Sequence, residues 1–172
     1  MWGYLLSIGV AATVYGLLGI GRIVLYLDWL LDVAAGVALL LVLCLALVMR
    51  EISYTGSFTN DNETASSRVD SLLTAGFLAL VVVVTVGLLG LPDQRVVFAG
   101  LMGVGGVAFL AYGYRYGSEQ LAQTRVQGTL LDTMIRHLLP VLLFASLIPI
   151  AELAVVAGLD RVIVLHVQIV FV

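Results

Sequence analysis

Five long apolar runs constrain the fold of this chain more than any other feature of its sequence. They cover residues 2–21, 30–49, 71–91, 96–114 and 138–159. Each run is close to the roughly 20 residues that a helix needs to cross a bilayer. Only 11% of the residues are charged, whereas soluble domains carry about 25%. The sequence therefore predicts an all-α fold, a polytopic integral membrane helical bundle with five transmembrane helices.

The rest of the chain is too short to form a separate soluble domain, so residues 1–172 are predicted to form a single transmembrane domain. Residues 162–172 form a short apolar segment that cannot cross a bilayer by itself. It is open to three interpretations: a β-like tail, an interfacial segment, or the first part of a sixth helix. We favour the third, because "GLDRV" is similar to "GLPDQRV", the connection that precedes the fourth run.

Charge and cysteine content exclude several functions. The formal net charge is −3 and all eight basic residues are arginines, so no basic stripe is available for nucleic acid. Acidic composition without lysine is typical of a halophilic, GC-rich source. Cys44 is the single cysteine, which leaves no disulfide framework and no cysteine-based metal site. No hydrolase or metalloprotease motif is present, so we predict neither an enzyme nor a metal protein.

Arginine placement predicts the orientation, because loops on the cytoplasmic side carry the excess of basic residues. Two groups of arginines fall on opposite sides of the predicted bundle: Arg50, Arg68, Arg115, Arg125 and Arg136 against Arg22, Arg95 and Arg161. The excess predicts a multi-pass protein of the cell membrane with a cytoplasmic N-terminus. Its predicted environment is the lipid bilayer, and a membrane partner protein or a second copy of the chain stays open as a partner.

Acidic residues within the apolar runs are the candidate functional groups. "LYLDWLLD" places Asp28 and Asp32 one helical turn apart, on either side of Trp29. A carboxylate inside a span is costly and usually faces the bundle interior or water. Glu152 lies in the fifth run, one turn after Pro149, whose missing N–H can open a helix. In each case the alternative is a position in the headgroup region, where exposure costs little.

Small residues in the fourth run predict close helix packing. Ala99 and Gly103 have the spacing of a small-xxx-small pair, which lets two helices approach closely in a membrane. Gly106 continues this smooth surface, and Pro149 of the fifth run is predicted to contribute to helix packing as well.

Several motifs, in order along the chain, resemble the haloarchaeal microbial rhodopsins. "YLDWLL" is similar to the start of their third helix, where the Asp is the counterion of the retinal Schiff base. "VYGLLGIG" resembles their second helix, and "LGLPDQRVVFAGLMGVGGVAFLAYGY" resembles their fourth-to-fifth turn and fifth helix. "TMIRHLLPVLLFASLIPIAEL" resembles their sixth. The resemblance implies a rhodopsin-like arrangement covering helices two to six and the first part of helix seven.

The resemblance also assigns roles to the acidic residues and shows where this chain departs from the family. It makes Asp28 a counterion or proton acceptor, with Arg22 as its partner and Asp32 as its deeper neighbour. The family's Schiff-base lysine has no equivalent, because these residues include no lysine. The two tryptophans that enclose retinal in the family correspond to Ala145 and Glu152. We therefore expect no covalent retinal and no other cofactor.

Three functions remain open from the sequence. The first is a rhodopsin-like membrane protein without covalent retinal, acting as a light-independent sensory, signalling or bundle-forming subunit. The second is a small transporter or an ion or proton channel subunit that uses Asp28, Asp32 and Glu152. The third is the central fragment of a retinal-binding photoreceptor or light-driven ion pump.

Overall fold

A computed structural model describes residues 2–27, 29–56, 63–122, 130–160, 162–164 and 166. The helices are α1 (Trp2–Leu25), α2 (Trp29–Gly56), α3 (Glu63–Gly90), α4 (Arg95–Ala122) and α5 (Leu130–Val156), with a 3-10 turn at Pro92–Gln94 before α4. The described residues contain no strand. All five helices are long and apolar enough to cross a membrane, which indicates a membrane protein, as predicted. In a bilayer every backbone polar group must be satisfied within the protein, which favours helices.

The helices extend beyond the apolar runs at one end of the bundle. α2 continues to Gly56 and α4 to Ala122, so both enter segments that read as polar connections in the sequence. At the opposite end the connections are short, because α1 and α2 are separated by three residues. Tyr26 makes this turn in the left-handed region, with a φ of 54°, and its N–H donates to the carbonyl of Arg22 at 3.0 Å.

The end of α5 is a complete helix-stop motif. Gly158 has a φ of 91°, the N–H of Leu159 donates to the carbonyl of Ala154, and that of Gly158 to Val155, each at 3.0 Å. This is the Schellman arrangement, which glycine adopts without a steric penalty. The helix therefore ends three residues before the apolar run does.

A new helical turn begins directly after this stop. The Asp160 carboxylate accepts a hydrogen bond from the N–H of Val162 at 2.8 Å, and its carbonyl accepts one from Ile163 at 3.0 Å. Capping of this kind is typical of a helix N-terminus. Residues 162–164 and 166 are helical, which favours the start of a further helix over a β-like tail. Residues 167–172 lie outside the described residues.

α2 is the central helix of the bundle. It packs against α1, α3, α4 and α5, whereas α1 contacts only α2 among the described helices. Every residue from 42 to 50 of α2 is buried, as expected for a helix that is apolar on all sides. The core around it contains Val84 of α3, Phe109 of α4 and Leu142 of α5, all fully buried.

The outer faces of the other helices are apolar and exposed. Leu6 and Ile23 of α1, Val82 of α3 and Val104 of α4 are each more than half exposed. In water such a surface would drive association. Facing hydrocarbon, it is the surface a membrane-spanning bundle requires, so the burial pattern agrees with the composition.

Glycines on one face of α4 receive side chains from α5. Cβ atoms added to Gly103, Gly106 and Gly113 would collide with Leu153, Pro149 and Leu142 respectively, and one added to Gly117 would lie 3.0 Å from Leu139. The intervals along α4 keep these glycines on one stripe, and the α5 residues follow in the reverse order, so the helices pack antiparallel. We call this contact the glycine seam. Gly113 is the point of the seam that can relax least, because a Cβ there would lie 2.9 Å from a backbone atom, the Cα of Ala46 in α2.

We expect Gly113→Ala to destabilise the protein by about 1–3 kcal/mol, the usual cost of overpacking a filled core. The backbone of α2 blocks the added methyl group, so relaxation requires a helix to move. Unfolding by denaturing detergent in mixed micelles measures the effect. Gly16→Ala in α1 is the matched control, because nothing lies within 4 Å of the added carbon. Equal stability of the two variants would contradict the tight packing described.

Candidate functional site

Three charged side chains on three different helices line one recess at an end of the bundle. They are Asp32 near the start of α2, Arg95 at the start of α4 and Glu152 near the end of α5. The remaining wall is apolar: Ala35, Leu88, Val96, Ala99, Met102 and Val155. We call this site the charged recess. Its volume of about 50 Å³ has room for a few water molecules or one small ion, but not for a long polyene.

Arg95 and Asp32 form an ion pair across the charged recess, with Nη2 donating to Oδ1. Asp32 lies in the first turn of its helix, where the helix dipole favours a carboxylate. Arg95 is the first residue of α4, where the same dipole disfavours a cation. The pairing offsets that cost, and it joins the start of α2 to the start of α4.

Glu152 lies in the last turns of α5 and also lines the charged recess. Glu152 therefore has a feature of each interpretation: it lies close to the end of its helix, and it also lines a polar space. Pro149, one turn earlier, is placed inside α5 and packs against Gly106. The recess thus combines two carboxylates and one guanidinium, a set that can bind water, a proton or a small ion.

The other predicted site residues are less tightly grouped. Asp28 lies outside the described residues. Arg22 is partly buried in the last turn of α1 and Trp29 is 52% exposed at the start of α2; neither lines the charged recess. Ala99 is buried on the recess wall, and Gly103 meets Leu153 in the glycine seam.

A second polar cluster lies toward the other end of the bundle, around Arg50. This arginine is only 8% exposed, and its Nη1 donates to Thr74 Oγ1 of α3 at 2.9 Å and to the Tyr112 hydroxyl of α4 at 3.5 Å. The Tyr112 ring packs edge-on against Phe77, with centroids 5.3 Å apart, and against Tyr116, at 5.0 Å. We call these five residues the Arg50 cluster. It ties α2 to α3 and α4.

From the sequence, we used Arg50 and Arg95 only to predict the orientation of the bundle in the membrane. The sequence does indicate that Arg95 needs a partner. An arginine directly after "PDQ" is the first residue of a helix, at the positive end of the helix dipole, and an anionic partner offsets this cost. Arg50 directly follows 17 apolar residues, which suggests that its helix extends past it. In neither case does the sequence say which helix supplies the partner.

Neither metal binding nor similarity to a known protein assigns a function to the charged recess or to the Arg50 cluster. Within the described part of the chain, no three His, Cys, Asp or Glu side chains are grouped closely enough to hold a metal ion. The chain matches no protein-family model, no curated protein and no solved structure. The resemblance to microbial rhodopsins therefore stays a prediction.

We expect Arg95→Gln to destabilise the protein by about 1–3 kcal/mol, between the values typical of exposed and buried pairs. The side chains of Arg95 and Asp32 are 36% and 12% exposed, and the change leaves the Asp32 carboxylate in a mostly apolar recess. Arg115→Gln on the same helix is the control, because its pair with Glu119 is 78% and 53% exposed. Detergent-induced unfolding should show little change for the control, and equal losses would contradict the difference in burial.

We expect Thr74→Val to destabilise the bundle by about 1–3 kcal/mol, because a buried charged donor loses one of its acceptors while the side-chain shape is kept. The matched control is Thr13→Val, whose hydroxyl is exposed and bonds only to the Gly9 carbonyl of its own helix. The same unfolding measurement compares them. A Thr74→Val variant as stable as the Thr13→Val variant would show that the hydrogen bond to Arg50 contributes nothing.

Proposed function

We propose that this protein is a rhodopsin-like membrane protein that works without covalent retinal, as a light-independent sensory, signalling or bundle-forming subunit. The order of the sequence motifs supports the kinship, and five helices of membrane-spanning length are compatible with it. The absence of lysine from the 172 residues removes the attachment point for the chromophore. Glu152, at a position where the family has an aromatic wall, lines a recess too small for the polyene.

The observation that carries this proposal is the apolar layer between the two charged ends of the bundle. Asp32 and Arg50 are separated along α2 by 17 consecutive apolar residues, about 27 Å of helix. The corresponding parts of α3, α4 and α5 contain two hydroxyl groups. Thr85 donates to the Val81 carbonyl and Ser146 to the Leu143 carbonyl. This layer favours a protein that packs and transmits movement over one that conducts ions.

A second candidate, a small transporter or an ion or proton channel subunit, is favoured by one observation. Asp32 and Glu152, which the sequence identifies separately, line the same recess with Arg95. Two carboxylates and a guanidinium at the mouth of a bundle are a set that transport proteins use. The candidate requires a path through the apolar layer that would open only in another conformation.

Reconstitution into liposomes separates the two candidates. We expect protein-containing vesicles to dissipate a proton or sodium gradient no faster than empty vesicles, because the core between the charged ends is closed. We also expect no red-shifted absorption band in the visible, relative to free retinal, after addition of all-trans retinal. A flux that Asp32→Asn and Glu152→Gln both abolish, and that the exposed-site change Asp93→Asn leaves intact, would replace the first candidate with the second. A red-shifted band would contradict a light-independent role.

A further inference from the structure

A band of exposed apolar side chains includes all four helices that pack around α2. Leu17 of α1, Val82 of α3, Val104 of α4 and Val141 of α5 are examples, and each is at least half exposed. We call this band the apolar belt. A partner helix or a second copy of the chain would cover one side of the bundle, whereas the belt has members on every outer helix. Its extent therefore favours lipid as the material that covers it.

Aromatic side chains border the apolar belt at both ends of the bundle. Tyr26 and Trp29 lie at the end that holds the charged recess, and Tyr114 lies at the other end, directly before the exposed Arg115. Tryptophan and tyrosine are enriched at the two interfaces of a bilayer. Among the side chains that the structure describes, no exposed tryptophan or tyrosine lies between these borders. The belt thus has two edges of the kind found at membrane surfaces.

The height of the apolar belt is similar on different helices. Exposed large apolar side chains extend from Val96 to Tyr114 in α4, which is about 27 Å at 1.5 Å of rise per residue. In α1 they extend from Leu6 to Leu25, which is about 28 Å. Both values match the apolar layer of α2 between the charged recess and the Arg50 cluster. Agreement among three helices indicates one layer with two parallel edges.

We propose that the apolar belt is covered by the acyl chains of a bilayer whose hydrocarbon core is about 27 Å thick, slightly below the average of about 30 Å. The charged recess then lies at one surface of this core, at the level of the lipid headgroups. Water and small ions reach it from that side without crossing hydrocarbon. This placement depends on neither of the two candidate functions.

The two ends of the bundle differ in how far they extend beyond this core. At the recess end α3 ends at Gly90 and α4 begins at Arg95, so both helices stop at the edge of the belt. At the other end α4 continues past Arg115 to Ala122, about 10 Å of further helix. This extension carries the exposed ion pair of Arg115 and Glu119. The protein therefore projects from one face of the membrane and is level with the other.

Spin labels on α4 test what covers the belt. Cys44 is the single cysteine, so Cys44→Ala gives a background for Val104→Cys, near the middle of the belt, and Glu119→Cys, both at exposed positions. In phosphatidylcholine liposomes we expect oxygen, which concentrates in hydrocarbon, to relax the label at 104 more than a water-soluble nickel complex does. The order should reverse at 119. A label at 104 that nickel relaxes more, or that neither reagent reaches because protein covers it, would overturn the proposal.

Fluorescence quenching by brominated lipids tests the depth of the charged recess. The chain has two tryptophans, so Trp2→Phe leaves Trp29, one turn before Asp32, as the single probe. Bromine near the headgroups should quench Trp29 more than bromine near the chain ends. The control is Phe144→Trp with Trp2 and Trp29 both changed to Phe, because Phe144 is half exposed in the middle of α5, and here the order should reverse. Stronger quenching of Trp29 by the deep bromine would place the recess inside the hydrocarbon and contradict the proposal.

The unaltered chain tests the thickness, so the proposal does not depend on any variant folding. A mismatch between the belt and the bilayer costs free energy in both directions. The midpoint of thermal unfolding should therefore be highest in phosphatidylcholine bilayers with a core of about 27 Å and lower in thinner and in thicker ones. A midpoint that does not depend on acyl-chain length, or that is highest in the thickest bilayer, would refute the proposed thickness. None of these measurements involves light or ion flux, so this placement and the proposed function fail separately.

Discussion

Burial of α2 on every side is the constraint on which the rest of the structure depends. A helix surrounded by four others in a membrane can carry charge only where its ends approach water or meet a partner, because an unpaired charge in hydrocarbon is costly. Asp32 and Arg50 obey this rule at the two ends, and the residues between them are apolar. The ion pair with Arg95 and the hydrogen bond to Thr74 follow from the need to satisfy these two groups. The charged recess and the Arg50 cluster are thus consequences of the central position of one helix.

The glycine seam has a different origin, since apolar side chains gain little from leaving lipid for protein. Helix association in a membrane depends on close packing, and the glycines of α4 supply it by receiving Leu153, Pro149 and Leu142 of α5. Gly113 brings α4 against the backbone of α2 as well. The seam therefore sets the distance between α4 and α5, and so the width of the recess that Arg95 and Glu152 both line.

The sequence was sufficient for the number and nature of the helices, because apolar runs of about 20 residues have few alternatives in a chain of this composition; it did not show how far α2 and α4 extend beyond those runs. It also identified Asp32 and Glu152 as costly acids, and Gly103 and Gly106 as packing residues. It missed the role of Arg95. Which side chains meet across a recess depends on the rotation of each helix about its axis and on the neighbours it selects, and weakly amphipathic membrane helices encode neither strongly. The sequence shows a glycine at position 158 but not that α5 ends there, because the hydrogen bonds that end the helix depend on the backbone geometry.

The attachment of α1 has a consequence for how the bundle tolerates change. Because this helix touches only α2 among the described helices and supplies no side chain to the charged recess, its loss would leave the glycine seam and the Arg50 cluster complete. Local openings begin where burial is least, and only 6% of the apolar span of α1 is buried inside the bundle, so α1 is the natural unit of partial unfolding. The other four described helices contact one another without it, so a change in α1 reaches the rest of the bundle through α2.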